Sequence, residues 1–298
     1  MTTSGRVAKG LTITVVAAGI GLGFAWLAGQ GGKSAFGYPV SVICAALAFA
    51  VNWIAFVPAA IARTEKYYDL MGSFTFLSII TLACILSAPL DVRAMVAAAM
   101  VTVWTSRLGL FLFRRIGAAG GIDGRFDAIK TNPPRFLVTW TLQAVWAIVT
   151  ASAAIVIISA RDRVPLDLFF WAGAAIWAGA FAIEVIADRQ KAVFRADPAN
   201  RGRFITTGLW SWSQHPNYFG EIMMWTGMAI MALPLLSGSS FVVFLSPLLI
   251  FLLLTRVSGI NLLDAAGEAK WGDDPAYRAY RARTSVLIPR PPKPIPSA

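Results

Sequence analysis

Long apolar runs separated by short polar links set the pattern of this chain. Eight stretches of mostly apolar residues lie at about 11–30, 38–62, 71–90, 94–113, 136–159, 166–187, 218–236 and 239–257. A helix needs roughly 20 apolar residues to cross a hydrocarbon layer about 30 Å thick, and these runs have that length. The pattern predicts an all-α fold, a polytopic transmembrane helix bundle of seven to eight spans. Residues 1–289 read as one integral membrane domain, because eight crossings leave no room for a second globular one. The Pro-rich end, 290–298, reads as a disordered tail. Arg6 and Lys9 precede the first run as they would in a signal peptide. That run is longer than the usual apolar core of about 7–15 residues and no clear small-residue cleavage site follows, so it reads as a retained helix.

Charge adds a direction to this picture. The chain is 57% hydrophobic and 14% charged, with a formal net charge of +11. With the N-terminus in the cytoplasm and the sides alternating, the outer segments hold only Lys33, Arg93, Arg161 and Arg163. That asymmetry is the positive-inside signature. It places both termini in the cytoplasm, as expected for a protein of a bacterial cell membrane. It also makes the basic charge topological: membrane lipid is the expected surrounding, and nucleic acid is not an expected partner. Cys44 and Cys84 both fall inside spans, so no disulfide framework is implied. The polar sequence gathers in the inner segments 114–135, 188–217 and 258–298, so any chemistry should open to the cytoplasm.

Polar groups inside the spans are expensive, at about 2.5–3.5 kcal/mol for a charge at mid-membrane, and each needs a reason. Arg107 lies about two turns inside span four and either snorkels or lines a polar cavity. Glu184 and Asp188 share a helix face, which Lys191 and Arg195 continue beyond the membrane. Asn52 and Trp53 in span two serve either as helix–helix glue or as substrate-facing groups. Tyr67, Tyr68 and Asp69 lie at its exit, either as an aromatic belt or as polar groups facing a ligand.

The densest polar stretch is "SQHPNYFGEIMMWTG", residues 213–227, which holds the chain's single histidine, His215. Pro216 suits a first helical turn, where its missing N–H would be unpaired anyway. The helix start that follows offers free N–H groups and a positive dipole end to an anion. Asn217, Glu221 and Trp225 recur every four residues and share one face, with Tyr218 beside them. His215 has no Cys or second His to complete a metal site, and no metal is expected. The preceding loop adds Arg201 and Arg203, and another inner loop carries Arg125 in a glycine-rich run that is not a dinucleotide fingerprint.

Several of these residues fall in one motif pattern: Asp188-x6-Arg195, "GRF" (202–204), "TGLW" (207–210), "HPNYFGE" (215–221), Trp225, Arg256 and "YRARTSVLIP" (280–289). The pattern resembles the steroid 5α-reductase family and, more closely, the bacterial membrane proteins grouped as domain of unknown function 1295. The reductase-like part covers about 136–289. The resemblance implies an NADPH-dependent reductase of a carbon–carbon double bond conjugated to a carbonyl, acting on a lipophilic, steroid- or isoprenoid-like substrate. Cytoplasmic loops would form the nucleotide site, lined by Arg125, Asp188, Arg195, Arg203, Asn217, Tyr218, Trp225 and Arg256, with Glu221 on the same stripe. Gln214 stands where the family commonly has Arg. The Glu and Tyr that polarise the carbonyl in steroid enzymes have no clean counterpart; the nearest positions are Asn52 and Trp104. Tyr67, Tyr68, a protonated Asp69 and Asn52, in that order, are the candidate donors to the substrate carbonyl. Two rivals share the pattern less well. One is an S-adenosylmethionine-dependent membrane methyltransferase resembling the isoprenylcysteine carboxyl methyltransferases, which begin a helix with a similar His-Pro. The other is a non-enzymatic carrier, which would bind no nucleotide.

Overall fold

The computed structural model describes residues 3–118 and 124–292, with side chains over 5–114 and 126–292. Its long helices are α1 (Thr3–Ala28), α2 (Val40–Ala62), α3 (Tyr68–Ser87), α4 (Val92–Ala118), α6 (Pro133–Ile158), α7 (Leu168–Ala196) and α8 (Pro216–Ala232), with a single turn α5 at Asp127–Lys130. A 3₁₀ stretch (Gly238–Phe244), α9 (Leu245–Leu252) and a π turn (Leu253–Val257) follow, then α10 (Ile260–Trp271) and α11 (Pro275–Arg283). Eight of these segments are long and apolar enough to cross a membrane, from Gly5–Ala28 to Gly238–Trp271. The chain is a multi-pass, all-α membrane protein, and each apolar run read from the sequence falls on one of these segments. A two-residue hairpin, β1 (Ser34–Ala35) with β2 (Tyr38–Pro39), is the strand pairing among the described residues.

The chain divides into two compact units, one of residues 1–170 and 231–246, the other of 171–230 and 247–298. The first is built on α6, which packs against α1, α2, α3 and α4. Asn132 caps its start, accepting from Arg135 N at 3.3 Å, and Pro133 fills the first helical position. Its apolar window is 83% buried, as expected for a helix apolar on every side. Small residues such as Ala144, Ala147, Ala151 and Ala154 are fully enclosed and let neighbouring helices approach closely.

Polar side chains stitch this unit together. Asn52 donates both amide protons, to Ala48 O at 2.8 Å and Thr75 Oγ1 at 3.0 Å. Trp53 Nε1 donates to Thr141 Oγ1 at 3.0 Å, and Ser246 Oγ to Thr150 O at 3.0 Å. Of the two sequence readings of Asn52 and Trp53, helix–helix glue is the one these bonds describe. The four cations assigned to outer segments are also structural. Lys33 Nζ donates to Ser87 O, Arg161 to Gly32 O at 3.4 Å and Arg163 to Pro89 O at 2.8 Å. Arg93 is fully buried and donates to Met231 O, Pro165 O and Asp167 Oδ1 at 2.8, 2.8 and 2.9 Å. At the other end of the unit, Lys130 bridges the buried Glu65 at 2.9 Å and Asp127 at 3.0 Å. Hydrogen bonds to those two carboxylates push the Lys130 ammonium above its ordinary range.

In the second unit α7 and α8 meet through two glycines one heptad apart. A Cβ on Gly220 would lie 2.7 Å from Ala180 O, and one on Gly227 would lie 2.7 Å from Gly173 O. Glycine alone lets the backbones come this close, and the contact fixes where α8 begins against α7.

A cationic, aromatic cavity in the second unit

The loop between α7 and α8 is held by its own polar groups. Asp197 caps a 3₁₀ turn by accepting from Ala199 N at 2.9 Å, and Asn200 Nδ2 donates to Phe194 O at 3.1 Å. Gln190 Oε1 accepts from Leu209 N at 2.9 Å, and the buried Trp210 donates its indole N–H to Ala187 O at 3.0 Å. These bonds fold "TGLW" back onto the end of α7 and set Lys191 Nζ 4.4 Å from the centre of the Trp210 ring.

The closing motif "YRARTSVLIP" has a structural role as well. Gln214 N donates to Ser285 O at 2.8 Å and Arg290 N to Trp212 O at 3.0 Å, while Ser213 Oγ donates to Leu287 O at 2.8 Å. Tyr280 Oη donates to Trp210 O at 2.8 Å, and burial pushes that phenol above its ordinary range. The chain segment ahead of α8 is thereby laced to α11 and the residues after it.

Between the end of α7, this loop, α10 and α11 lies a cavity of about 270 Å³. Five cations line it, Lys191, Arg195, Arg203, Lys270 and Arg281, against one carboxylate, Asp264. Arg281 holds Asp264 in a fork, Nη1 to Oδ1 at 2.6 Å and Nη2 to Oδ2 at 3.0 Å, which leaves four cations in excess. Aromatic rings make much of the wall: Phe204 packs on Tyr277, Trp271 and Tyr280 with centroids 5.0, 5.7 and 5.9 Å away. Gly267 leaves room for the Tyr277 hydroxyl, since a Cβ would lie 2.3 Å from Tyr277 Oη and push the ring aside.

His215 and Gln214 border the same cavity. His215 is buried, stacks on Tyr218 with centroids 5.4 Å apart, and holds Nε2 3.7 Å from Asp264 Oδ1, beyond hydrogen-bond reach. Burial pushes the imidazole down to about 4, against the upward pull of Asp264, so it is neutral at pH 7. Gln214 Nε2 donates to Thr284 O at 2.7 Å and Arg281 O at 3.2 Å, and its buried Oε1 has no donor among the described residues. A neutral amide thus stands where the family pattern has a cation, and it caps α11.

Of the residues proposed from the sequence for a nucleotide, Arg195 and Arg203 line this cavity. Asn217, Tyr218, Glu221 and Trp225 do form one end of α8, but they are not among its lining residues; Tyr218 touches it through His215, and Trp225 is buried. Asp188 is half-buried on α7, and Arg256 is exposed in the π turn, where its carbonyl accepts from Asn261 Nδ2 at 2.9 Å. The Arg125 side chain lies outside the described residues. Asp264, Lys270, Trp271 and Tyr277 were not singled out by sequence, and Arg281 only as part of the closing motif. Their signal is helical spacing: 264, 267 and 271 share a face of α10, as 277 and 281 share one of α11.

The candidate carbonyl donors all lie in the first unit. Tyr67 is half-exposed and lines an apolar groove. Tyr68 gives its hydroxyl proton to Thr139 O at 3.1 Å. Asn52 has no amide proton left to give, for the reason above. Asp69 sits half-buried in the first turn of α3.

Comparison with known proteins adds family membership. An uncharacterized protein of Schizosaccharomyces pombe is 25% identical over 159 residues, which cover 45% of this chain and 46% of that protein. The chain thus spans under half the length of that curated relative. No solved structure matches. Residues 55–284 match the family described as protein of unknown function, DUF1295, a range that includes the loop, α8, α10 and α11, and the chain belongs to that family.

Proposed function

We propose that this protein is a membrane-embedded, NADPH-dependent reductase of a conjugated carbon–carbon double bond in a lipophilic substrate. The observation that carries the reading is the second-unit cavity, where four cations in excess and an aromatic wall surround one salt-bridged carboxylate. Phosphate groups are read by guanidinium forks and ammonium charges, and flat rings suit a purine or its sugar. A cavity of about 270 Å³ takes part of a dinucleotide, and its donor set fits the phosphorylated adenosine end. Arg195, Arg203 and Lys270 would hold phosphates, and Arg281, pinned by Asp264, would present a fixed edge. The neutral His215 adds no further positive charge, and Gln214 Oε1 offers an acceptor. Bound NADPH supplies a hydride; the protein supplies position, charge and exclusion of water.

The resemblance to steroid 5α-reductases supports the same reading, as does the clustering of Arg195 and Arg203. With the basic segments inside, the cavity opens to the cytoplasm of a bacterial cell and both termini lie on that side. A methyl donor with a cationic sulfonium fits this charge balance poorly. Titration of detergent-purified protein with NADPH and, separately, with S-adenosylmethionine tests the proposal. Saturable binding of NADPH alone is expected; binding of S-adenosylmethionine alone would replace the reductase with a methyltransferase, and binding of neither would leave a carrier.

A further inference from the structure

His215, the chain's single histidine, borders the cationic cavity, and groups from four elements of the second unit face its ring. From α8, Tyr218 stacks on it with centroids 5.4 Å apart. From α10, Asp264 brings Oδ1 to 3.7 Å from Nε2. From α11, Arg281 places Nη1 2.6 Å from that same oxygen, and α7 contributes Lys191. Arg195, Arg203 and Lys270 add positive charge across the cavity, and Tyr277 and Tyr280 complete the titratable groups of its wall.

These neighbours pull in opposite directions. Burial opposes a proton on the imidazole most strongly, and the Lys191 and Arg281 charges add to it; Asp264 pulls the other way and loses. Asp264 is therefore poised between two partners. A closing movement of about half an ångström would bring Nε2 within hydrogen-bond reach of Oδ1, while Arg281 Nη2 keeps Oδ2 at 3.0 Å. Phosphate groups in the cavity change the balance. They neutralise the cations and add negative charge near the ring, and a nearby anion favours the protonated imidazole. A ligand that raises the proton affinity of His215 is itself held more tightly once His215 is protonated.

We propose that His215 and Asp264 form a proton-linked pair that regulates the nucleotide cavity: phosphates entering it bring a proton from solvent onto His215, which then pairs with Asp264 and tightens the hold on the nucleotide. The inference rests on the cavity being a nucleotide site. At pH 7 the imidazole stays neutral in both states. The proton affinity is raised in the complex, so the added hold is absent above the complex's midpoint and grows as pH falls through it.

A single histidine makes the test direct. The full chain, labelled with ¹³C-histidine and carrying no histidine tag, is followed by NMR in detergent micelles from about pH 7.5 to about 5, with and without saturating NADP⁺. In the protein alone the one imidazole signal should stay close to its neutral position, as a midpoint of about 4 requires. With NADP⁺ it should titrate with a midpoint above about 5. Asp264→Asn removes the counter-charge and should return the liganded midpoint below that window. The 2′-phosphate of the probe titrates at roughly 6 itself, so affinity is read as the ratio of wild type to His215→Gln. That ratio should rise about fivefold between pH 7 and 5. A midpoint unmoved by NADP⁺, one that moves equally in Asp264→Asn, or a flat ratio overturns the inference and leaves the nucleotide site in place. Absence of saturable NADP⁺ binding at neutral pH overturns the nucleotide reading and this inference with it. If Asp264→Asn does not fold, the wild-type midpoint with and without NADP⁺ decides.

Discussion

Two arginine–aspartate pairs show how one interaction serves two ends. In the first unit Arg93 meets Asp167 at 2.9 Å with the arginine side chain 1% exposed. It also bonds two backbone carbonyls and lies over the Phe170 ring. Asp167 accepts from Phe170 N at the start of α7 as well. Desolvation raises the Asp167 pKa, but those bonds outweigh it and hold the carboxyl below its ordinary range. In the second unit Arg281 meets Asp264 with both side chains about 30% exposed, on the wall of a cavity with four other cations. In the first pair the arginine is enclosed and carbonyls use its other donors, although Asp167 is as exposed as Asp264. The second faces space and is outnumbered by the four further cations of the cavity wall. An ion pair alone says little about role; its neighbours decide it.

Breaking the first pair should have the largest effect. Arg93→Ala leaves the carbonyls of Pro165 and Met231 without their donor and takes the cation from Asp167, which keeps the Phe170 N–H. Removing one partner of a fully buried pair costs about 3–5 kcal/mol. Asp167 is 30% exposed, so a cost at about the lower end and a clear drop in detergent melting temperature are expected, with nucleotide affinity of the surviving folded protein unchanged. A melting temperature near wild type would erase the contrast between the pairs.

Acid should act through the second region. His215 is held at about 4 in the folded protein against an ordinary 6.5. The unfolded chain binds a proton between those values that the folded chain refuses, so stability rises with pH there. It is full above about pH 6.5 and is lost as pH falls toward 4, by roughly 3 kcal/mol at most. Melting curves across that window should flatten in His215→Gln, and an equally steep slope in the variant would assign the loss to another group.

A smaller and more selective effect is expected for Arg203→Ala, an exposed side chain on the cavity wall. A charge-assisted bond contributes about 1.5–3 kcal/mol, so NADPH affinity should fall by about tenfold or more. The melting temperature should stay near wild type. Equal loss of both would make Arg203 structural, like Arg93.

The membrane architecture was legible because span length and charge asymmetry are local properties. Arg195, in the last turn of α7, and Arg203, in the loop after it, were legible too, standing in polar sequence where their charge needs a partner. The α8 stripe of Asn217, Glu221 and Trp225 was read correctly as one helix face, but a helix face does not say which hollow it meets. The hydrogen bonds of Tyr68 and Asn52 were not legible because their partners, Thr139 and Thr75, lie far along the chain. Asp264 and Tyr277 were missed, and Arg281 was seen only as part of the closing motif, because a polar segment after the last apolar run does not show what it folds against. The hydrogen bonds tying Gln214 and Ser213 to residues 281–287 bring that segment onto the loop, and no periodicity announces them.

The account rests on the cationic cavity being a nucleotide site. Photolabelling with 8-azido-NADP, followed by peptide mapping, tests it most directly. Label on peptides from 191–215 and 260–283, protected by excess NADPH, is the expected result. Label confined to other peptides, or label that excess NADPH fails to displace, would contradict it.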